Sequence, residues 1–201
     1  MTLIEFIEKY DFDNSVVLLE GKRNVKIEDQ DFLVKLGYLL ASQSKNIHFR
    51  SGNAPGADEL FTKGVTSFCS SRIQLIKPFK NHRMKYNEGL ESISLDELCI
   101  ASEHEIIYQS KKDSKTNQLV DRYLHGLRDK NSLKAAYIIR DAIKVLGTET
   151  LMPASFAIFY DDLNNPRDGG TGHTMRICEN KLLPHINQET WFNWLKILFY
   201  Y

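Results

Sequence analysis

The sequence carries no excess charge of either sign: 26 Lys and Arg balance 26 Asp and Glu in 201 residues. Without a global field to draw a polyanion, nucleic acid is disfavoured as a partner, and any such binding would need a local patch. Cysteine is scarce, three in all. Cys69, Cys99 and Cys178 stand far apart with no C-x-x-C pair, which argues against a disulfide framework and a zinc ribbon and leaves buried free thiols as the expectation. The one near-metal motif, His104-Glu105, lacks its second histidine because Tyr108 occupies that place, so no metal site is called. Long apolar runs are also missing, and no membrane association is expected. The opening MTLIEFIEKYDFD has no basic segment ahead of an apolar core, so a secretory signal is not read there and a cytoplasmic location is expected.

What is present is ordinary globular composition, 42% hydrophobic and 26% charged. It suits one α/β domain over residues 1–201. Residues 1–10 have helical apolar spacing. Residues 15–20 (SVVLLE) form a short β-branched and leucine run, read as a buried strand. A 3.6-residue apolar period over 28–44 predicts a helix, 46–50 (NIHFR) a strand, 57–68 a helix, and 72–77 (RIQLIK) a strand closed by Pro78. This alternation predicts a Rossmann-like, open, mostly parallel sheet of about five or more strands with helices on both faces. Residues 80–132 are rich in Lys, Asn, Ser and Asp and are read as a helical and loop insertion or lid, with a helical patch at 95–109 and a mobile loop in SKKDSKTNQ. A helix over 133–146 ends at Gly147. Residues 154–160 (ASFAIFY) are a central strand, 182–186 a further strand and 191–199 a closing helix.

Two glycine-rich turns follow two different strands. In NPRDGGTGHTMR, residues 165–176, Gly169, Gly170 and Gly172 leave room for an anion at the backbone N–H groups. Thr171 and Thr174 add hydroxyls, and a helix from Thr174 adds partial positive charge. In SGNAPGAD, residues 51–58, Ser51, Gly52, Asn53, Gly56, Ala57 and Asp58 form a second such turn after Arg50, with Asn53 tolerant of positive φ. In an open parallel sheet both turns, Gly21 to Arg23, and the Asp161–Asp162 pair fall on the carboxyl edge of the strands. That convergence predicts a site for a nucleotide or another phosphorylated small molecule. Bland readings stand beside it. Asp58 serves as a first-turn helix carboxylate or touches ribose or base; Arg23 and Arg176 are surface residues or phosphate contacts; His173 caps its turn or meets ligand. Asp161 and Asp162 form a turn, bind ribose hydroxyls, or act as catalytic carboxylates.

The run Arg50-Ser51-Gly52-Asn53-Ala54-Pro55-Gly56-Ala57-Asp58 resembles the R-S-G-G-A-x-G-A-D signature of SLOG-type Rossmann-like proteins. That group includes the cytokinin-activating LOG enzymes, the DNA-processing protein A family and sensor domains of bacterial defence systems. Ile76-Lys77-Pro78-Phe79, Leu124-His125, Val145-Leu146-Gly147, residues 153–159 and Gly169-Gly170-Thr171-Gly172 follow in the order of its stand-alone phage and bacterial members. The resemblance spans most of residues 15–187 and is weakest over 80–123. Where relatives open with G-x-G-S-R, this chain reads Leu19-Glu20-Gly21-Lys22-Arg23, so only Gly21 and Arg23 carry over.

The resemblance implies a ligand held by its phosphates between the two turns. No cofactor is implied with certainty; a nucleotide is the expected ligand and a homodimer or higher homo-oligomer an expected partner state, in the host cytoplasm if the chain is phage-encoded. LOG-type phosphoribohydrolases carry G-G-x-G-T-x-x-E, and Arg176 stands here in place of that glutamate. A fixed cation cannot do a carboxylate's work, so binding or sequestration is expected over LOG-type turnover. Two alternatives stay open. One is an N-glycosidic hydrolase or transferase using Asp161, Asp162 or Glu20; the other is a single-stranded DNA-binding recombination mediator.

Overall fold

The computed structural model describes residues 1–86 and 88–199. Helix α1 (Leu3–Tyr10) starts at Thr2, whose hydroxyl and the Glu5 carboxylate close a reciprocal capping box. Strand β1 (Val16–Gly21) is buried along its whole length, which explains its unbroken apolar run. Then come α2 (Ile27–Gln43), β2 (His48–Ser51), α3 (Ala57–Phe68) and β3 (Ile73–Lys77). Residues 80–132, expected as insertion or lid, contribute the edge strand β4 (Glu91–Ser94), then α4 (His104–Lys111) and α5 (Asn117–Leu124). The expected helical patch at 95–109 is two short 3-10 turns ahead of α4, and the polar run expected as a mobile loop is a connection over 112–116 flanked by the last residues of α4 and the first of α5.

Helix α6 (Lys130–Leu146) is capped by Asp129, which accepts from the amides of Asn131 and Ser132, and ends at Gly147 with φ 68°. Strand β5 (Phe156–Tyr160), α7 (Gly169–Asn180), the two-residue β6 (His185–Ile186) and α8 (Gln188–Phe199) complete the chain. The expected strand over 182–186 shrinks to its last two residues because Lys181 and Leu182 still turn off α7, bonding the carbonyls of Ile177 and Glu179.

All six strands are parallel, in the order β4-β3-β2-β1-β5-β6. Alternate strand residues feed two cores. Val17, Leu19, Phe49, Leu75, Phe156 and Ile158 pack against α1, α2, α3 and α8. Leu18, Ile76, Ala157 and Phe159 pack against α4 to α7. The thiols depart from expectation: Cys178 is buried, but Cys69 is half-buried and Cys99 exposed, all three free. Among the described residues no helix is long and apolar enough to cross a membrane.

Candidate functional site

The strand order reverses between β1 and β5, and the crevice beyond their carboxyl ends opens into a cleft of about 1190 Å³. Its floor is knitted from backbone. Lys22 N–H donates to the Tyr160 carbonyl at 2.9 Å and Ala57 N–H to the Lys22 carbonyl at 3.0 Å. The buried Asp58 carboxylate accepts from Gly21 N–H on one oxygen (3.1 Å) and from Gly52 and Ala54 N–H on the other (3.1 and 3.3 Å). The Gly21, Gly52 and Ala54 amides are thus already engaged by a carboxylate in the first turn of α3. Gly56, at φ 88°, lies so close to the Arg23 carbonyl that a Cβ would come within 2.1 Å of it.

The rest of the first turn is scaffold as well. Arg50 is 1% exposed; its Nε donates to Gln74 at 3.0 Å and its Nη1 to the Lys144 carbonyl at 3.2 Å. Burial pulls its pKa down to about 10. Asn53 has φ 52°, as its tolerance of that region predicts, and its amide donates to the His82 carbonyl. Arg50, Ser51, Gly52, Asn53, Gly56 and Ala57 do not line the cleft, whereas Gly21, Arg23 and Asp58 do.

The second turn differs from expectation in kind. Gly169, Gly170, Thr171 and Gly172 are the opening turn of α7 itself, with the helix starting five residues ahead of Thr174. Tertiary packing overrides the poor helix propensity of glycine there. A Cβ on Gly172 would sit 1.8 Å from the Arg167 carbonyl, so only glycine admits this approach. The first amides of a helix have no intrahelical acceptor, and Asp168 at the cap makes no side-chain bond to them. Gly169, Gly170 and Thr171 face the cleft, as do His173 and the exposed Arg176, whose Nη1 donates to the Arg167 carbonyl at 3.1 Å. His173 is 9% exposed and its Nε2 has no partner among the described residues. Burial lowers its pKa, so the ring is neutral at neutral pH. Thr174 does not line the cleft; its hydroxyl donates to Glu20 Oε1 at 3.0 Å.

Beneath α7 lies a charge network that sequence reasoning missed. Lys144 Nζ is 2.7 Å from Glu20 and 2.9 Å from Asp141, and Arg140 spans Asp141 (2.8 Å) and the Gly52 carbonyl (2.8 Å). Burial pushes the Glu20 carboxyl up to about 7, against the pull of Lys144. Burial acts on Asp141 the same way, but Lys144 and Arg140 outweigh it and hold that carboxyl below its usual range. The signal was available: Arg140 and Lys144 interrupt the stripe of Ala136, Ile139 and Ile143 in an otherwise apolar α6 face.

Asp161 and Asp162, at the end of β5, have separate surroundings. Asp162 is ion-paired with Lys22 and caps its own turn through Asn164 N–H. Asp161 is 3% exposed, and its peptide is clamped by the Gln188 side chain, which accepts from Asp161 N–H at 2.9 Å and donates to its carbonyl at 2.6 Å. Of the three carboxylates considered for catalysis, Glu20 and Asp162 are held by lysines; Asp161 Oδ1 is without a partner among the described residues. The 80–132 segment supplies Asp113, Lys115, Thr116 and Leu119 to the cleft wall, facing Tyr137 and Lys134 of α6.

No family model matches the chain, and no curated protein sequence matches it. Among solved structures, the fold is similar to DNA processing protein A from Helicobacter pylori, at 14% identity and a TM-score of 0.52, over 89% of this chain and 67% of that one. That protein is described by its single-stranded DNA binding mode. The likeness shows the Rossmann-like fold, and it fits loosely with the SLOG-type resemblance read from the motifs. It also corrects one expectation. Nucleic acid was expected to be an unlikely partner, and the similar structure, described by its single-stranded DNA binding mode, overturns that expectation.

Proposed function

We propose that the protein binds a nucleotide or nucleotide-derived small molecule in the cleft beyond β1 and β5, as a sensor or sequestering protein. The observation that carries this reading is the bare N-terminus of α7. Its first amides open into the cleft beside a buried His173 whose Nε2 lacks a partner, an arrangement suited to an anion. The exposed Arg23, Lys115, Lys134 and Arg176 on the surrounding walls complement a phosphate.

A ligand that binds only the native state stabilises it by about 2.7 kcal/mol at one hundred times Kd, so thermal unfolding with mono-, di- and cyclic nucleotides is the direct test. Mass spectrometry of small molecules released on denaturation names any ligand retained through purification. An empty protein whose melting temperature no nucleotide raises would sink the reading.

A second reading, single-stranded DNA held along the same cleft, is supported by the fold neighbour. It predicts oligonucleotide binding that weakens steeply with salt as counterions are released, with no response to free mononucleotides.

A further inference from the structure

We infer that Asp161 forms a hydroxyl-reading subsite, in which its free Oδ1 accepts a hydrogen bond from a sugar hydroxyl of a nucleotide whose phosphate lies against the first turn of α7. The inference rests on the nucleotide reading of the cleft and specifies which part of the ligand meets which wall.

An ionised carboxylate accepts and never donates, and a buried one needs donors. Asp161 Oδ2 has its donor, the Arg167 amide at 3.0 Å. Oδ1 has none among the described residues, although the side chain is buried and lines the cleft. The neighbouring cations are committed elsewhere: Lys22 to Asp162 and the Arg167 guanidinium to Glu179 at 2.8 Å. The protein therefore leaves this oxygen for something entering from the cleft.

The position is also fixed. Gln188, itself 3% exposed, bonds both the N–H and the carbonyl of Asp161, as a paired strand would, so the carboxylate cannot retreat by a backbone shift. A phosphate is repelled by Asp161, whereas a hydroxyl is a matched donor. The two ends of the site share one residue: Arg167 N–H bonds Asp161, and the Arg167 carbonyl packs on Gly172 in the opening turn of α7. Anion-binding amides and a hydroxyl acceptor set on either side of one residue suit a sugar phosphate with free hydroxyls.

The test measures Kd by calorimetry for the four ribonucleoside 5′-monophosphates, then for the 2′-deoxy, 3′-deoxy and 2′,3′-dideoxy forms of the tightest binder. Wild type, Asp161→Ala and Asp161→Asn are compared; the asparagine variant keeps an oxygen for the Arg167 amide should the alanine variant fail to fold. In wild type, loss of the hydroxyl that Asp161 reads weakens binding roughly tenfold or more. In Asp161→Ala the hydroxylated and dideoxy forms bind alike, and in Asp161→Asn the gap between them narrows. Dideoxy and ribo forms binding wild type equally, or a hydroxyl preference unchanged by both substitutions, overturns the inference and leaves the phosphate cleft standing. Failure of all four ribonucleotides to bind wild type overturns this subsite, and failure of the di- and cyclic nucleotides as well overturns the nucleotide reading with it.

Discussion

Lys144 Nζ, with no exposed surface, lies 2.7 Å from Glu20 Oε2 and thereby joins the last turn of α6 to the carboxyl end of β1. The same ammonium reaches Asp141 one turn back on its own helix at 2.9 Å. Removing it leaves the buried Glu20 without a cation, while Asp141 keeps Arg140.

Lys144→Ala is therefore expected to lower unfolding stability by about 3–5 kcal/mol, the cost of breaking a buried pair from one side. Lys144→Met combined with Glu20→Gln, which removes both charges, should cost well under the sum of the two single changes. Urea unfolding at pH 7 measures both. A loss below about 1 kcal/mol for Lys144→Ala would mean that the ammonium contributes no more than a surface pair.

The Glu20 carboxyl is raised to about 7 in the folded protein from an ordinary value near 4.5. Between those values the folded state holds a proton that the unfolded state releases, so this group's stabilisation is full below about pH 4.5 and is lost as pH rises through 7. His82, drawn down to about 4 by burial and then by Arg140, acts in the opposite sense, and its contribution is lost as pH falls from 6.5 towards 4. The two slopes oppose each other over much of the same range, so the difference between wild type and Glu20→Gln carries the sign. Relative to wild type, Glu20→Gln should gain stability as pH rises from about 5 to 7.5; a flat difference would place Glu20 at an ordinary pKa.

The three glycines at the start of α7 are not equivalent. Gly172→Ala drives a Cβ into the Arg167 carbonyl and should cost several kcal/mol or prevent folding. Gly169, at φ 62° with open space around it, should lose about 1–2 kcal/mol on substitution, from conformation alone. Gly170 meets only Asp141 Oδ2, at 3.4 Å, so Gly170→Ala should leave stability within about 1 kcal/mol of wild type. Because its backbone faces the cleft, Gly170→Ala should weaken nucleotide binding all the same. Thermal unfolding with and without ligand separates the two effects.

Arg50 and Arg176 belong to the same motif reading but divide in the fold. Arg50→Met should destabilise by about 2 kcal/mol, leaving Gln74 and the Lys144 carbonyl short of a donor, with nucleotide affinity of the folded fraction unchanged. Arg176→Met should do the reverse, with stability nearly intact and affinity reduced. Identical profiles for the two variants would refute this division.

The alternation of strand and helix was legible from residue 15 to residue 77 and again at β5, because buried parallel strands write themselves as short apolar runs between amphipathic helices. The Glu91–Ser94 strand was not, since its ESIS stretch carries one large apolar residue within a polar segment and owes its strand state to pairing with β3. The site was legible as a place more than as a set of contacts. Glycines and polar residues marked the right edge of the sheet, but pattern alone could not show that Asp58 already occupies the Gly21, Gly52 and Ala54 amides. Nor does helix propensity anticipate a helix opening on Gly-Gly-Thr-Gly. Gln188, 27 residues beyond the aspartate whose peptide it holds, carries no local signal at all.

Because the Asp58 carboxylate holds the Gly21 amide at the end of β1 and the Gly52 and Ala54 amides after β2, the cleft floor behaves as a single rigid plate and does not have to be ordered by an incoming molecule. Adaptability is then left to the opposite wall, where Lys115, Thr116 and Leu119 come from a segment that contributes one edge strand and little else to the sheet. Exchanging residues 112–119 between proteins of this shape should transfer ligand preference while the plate stays as it is.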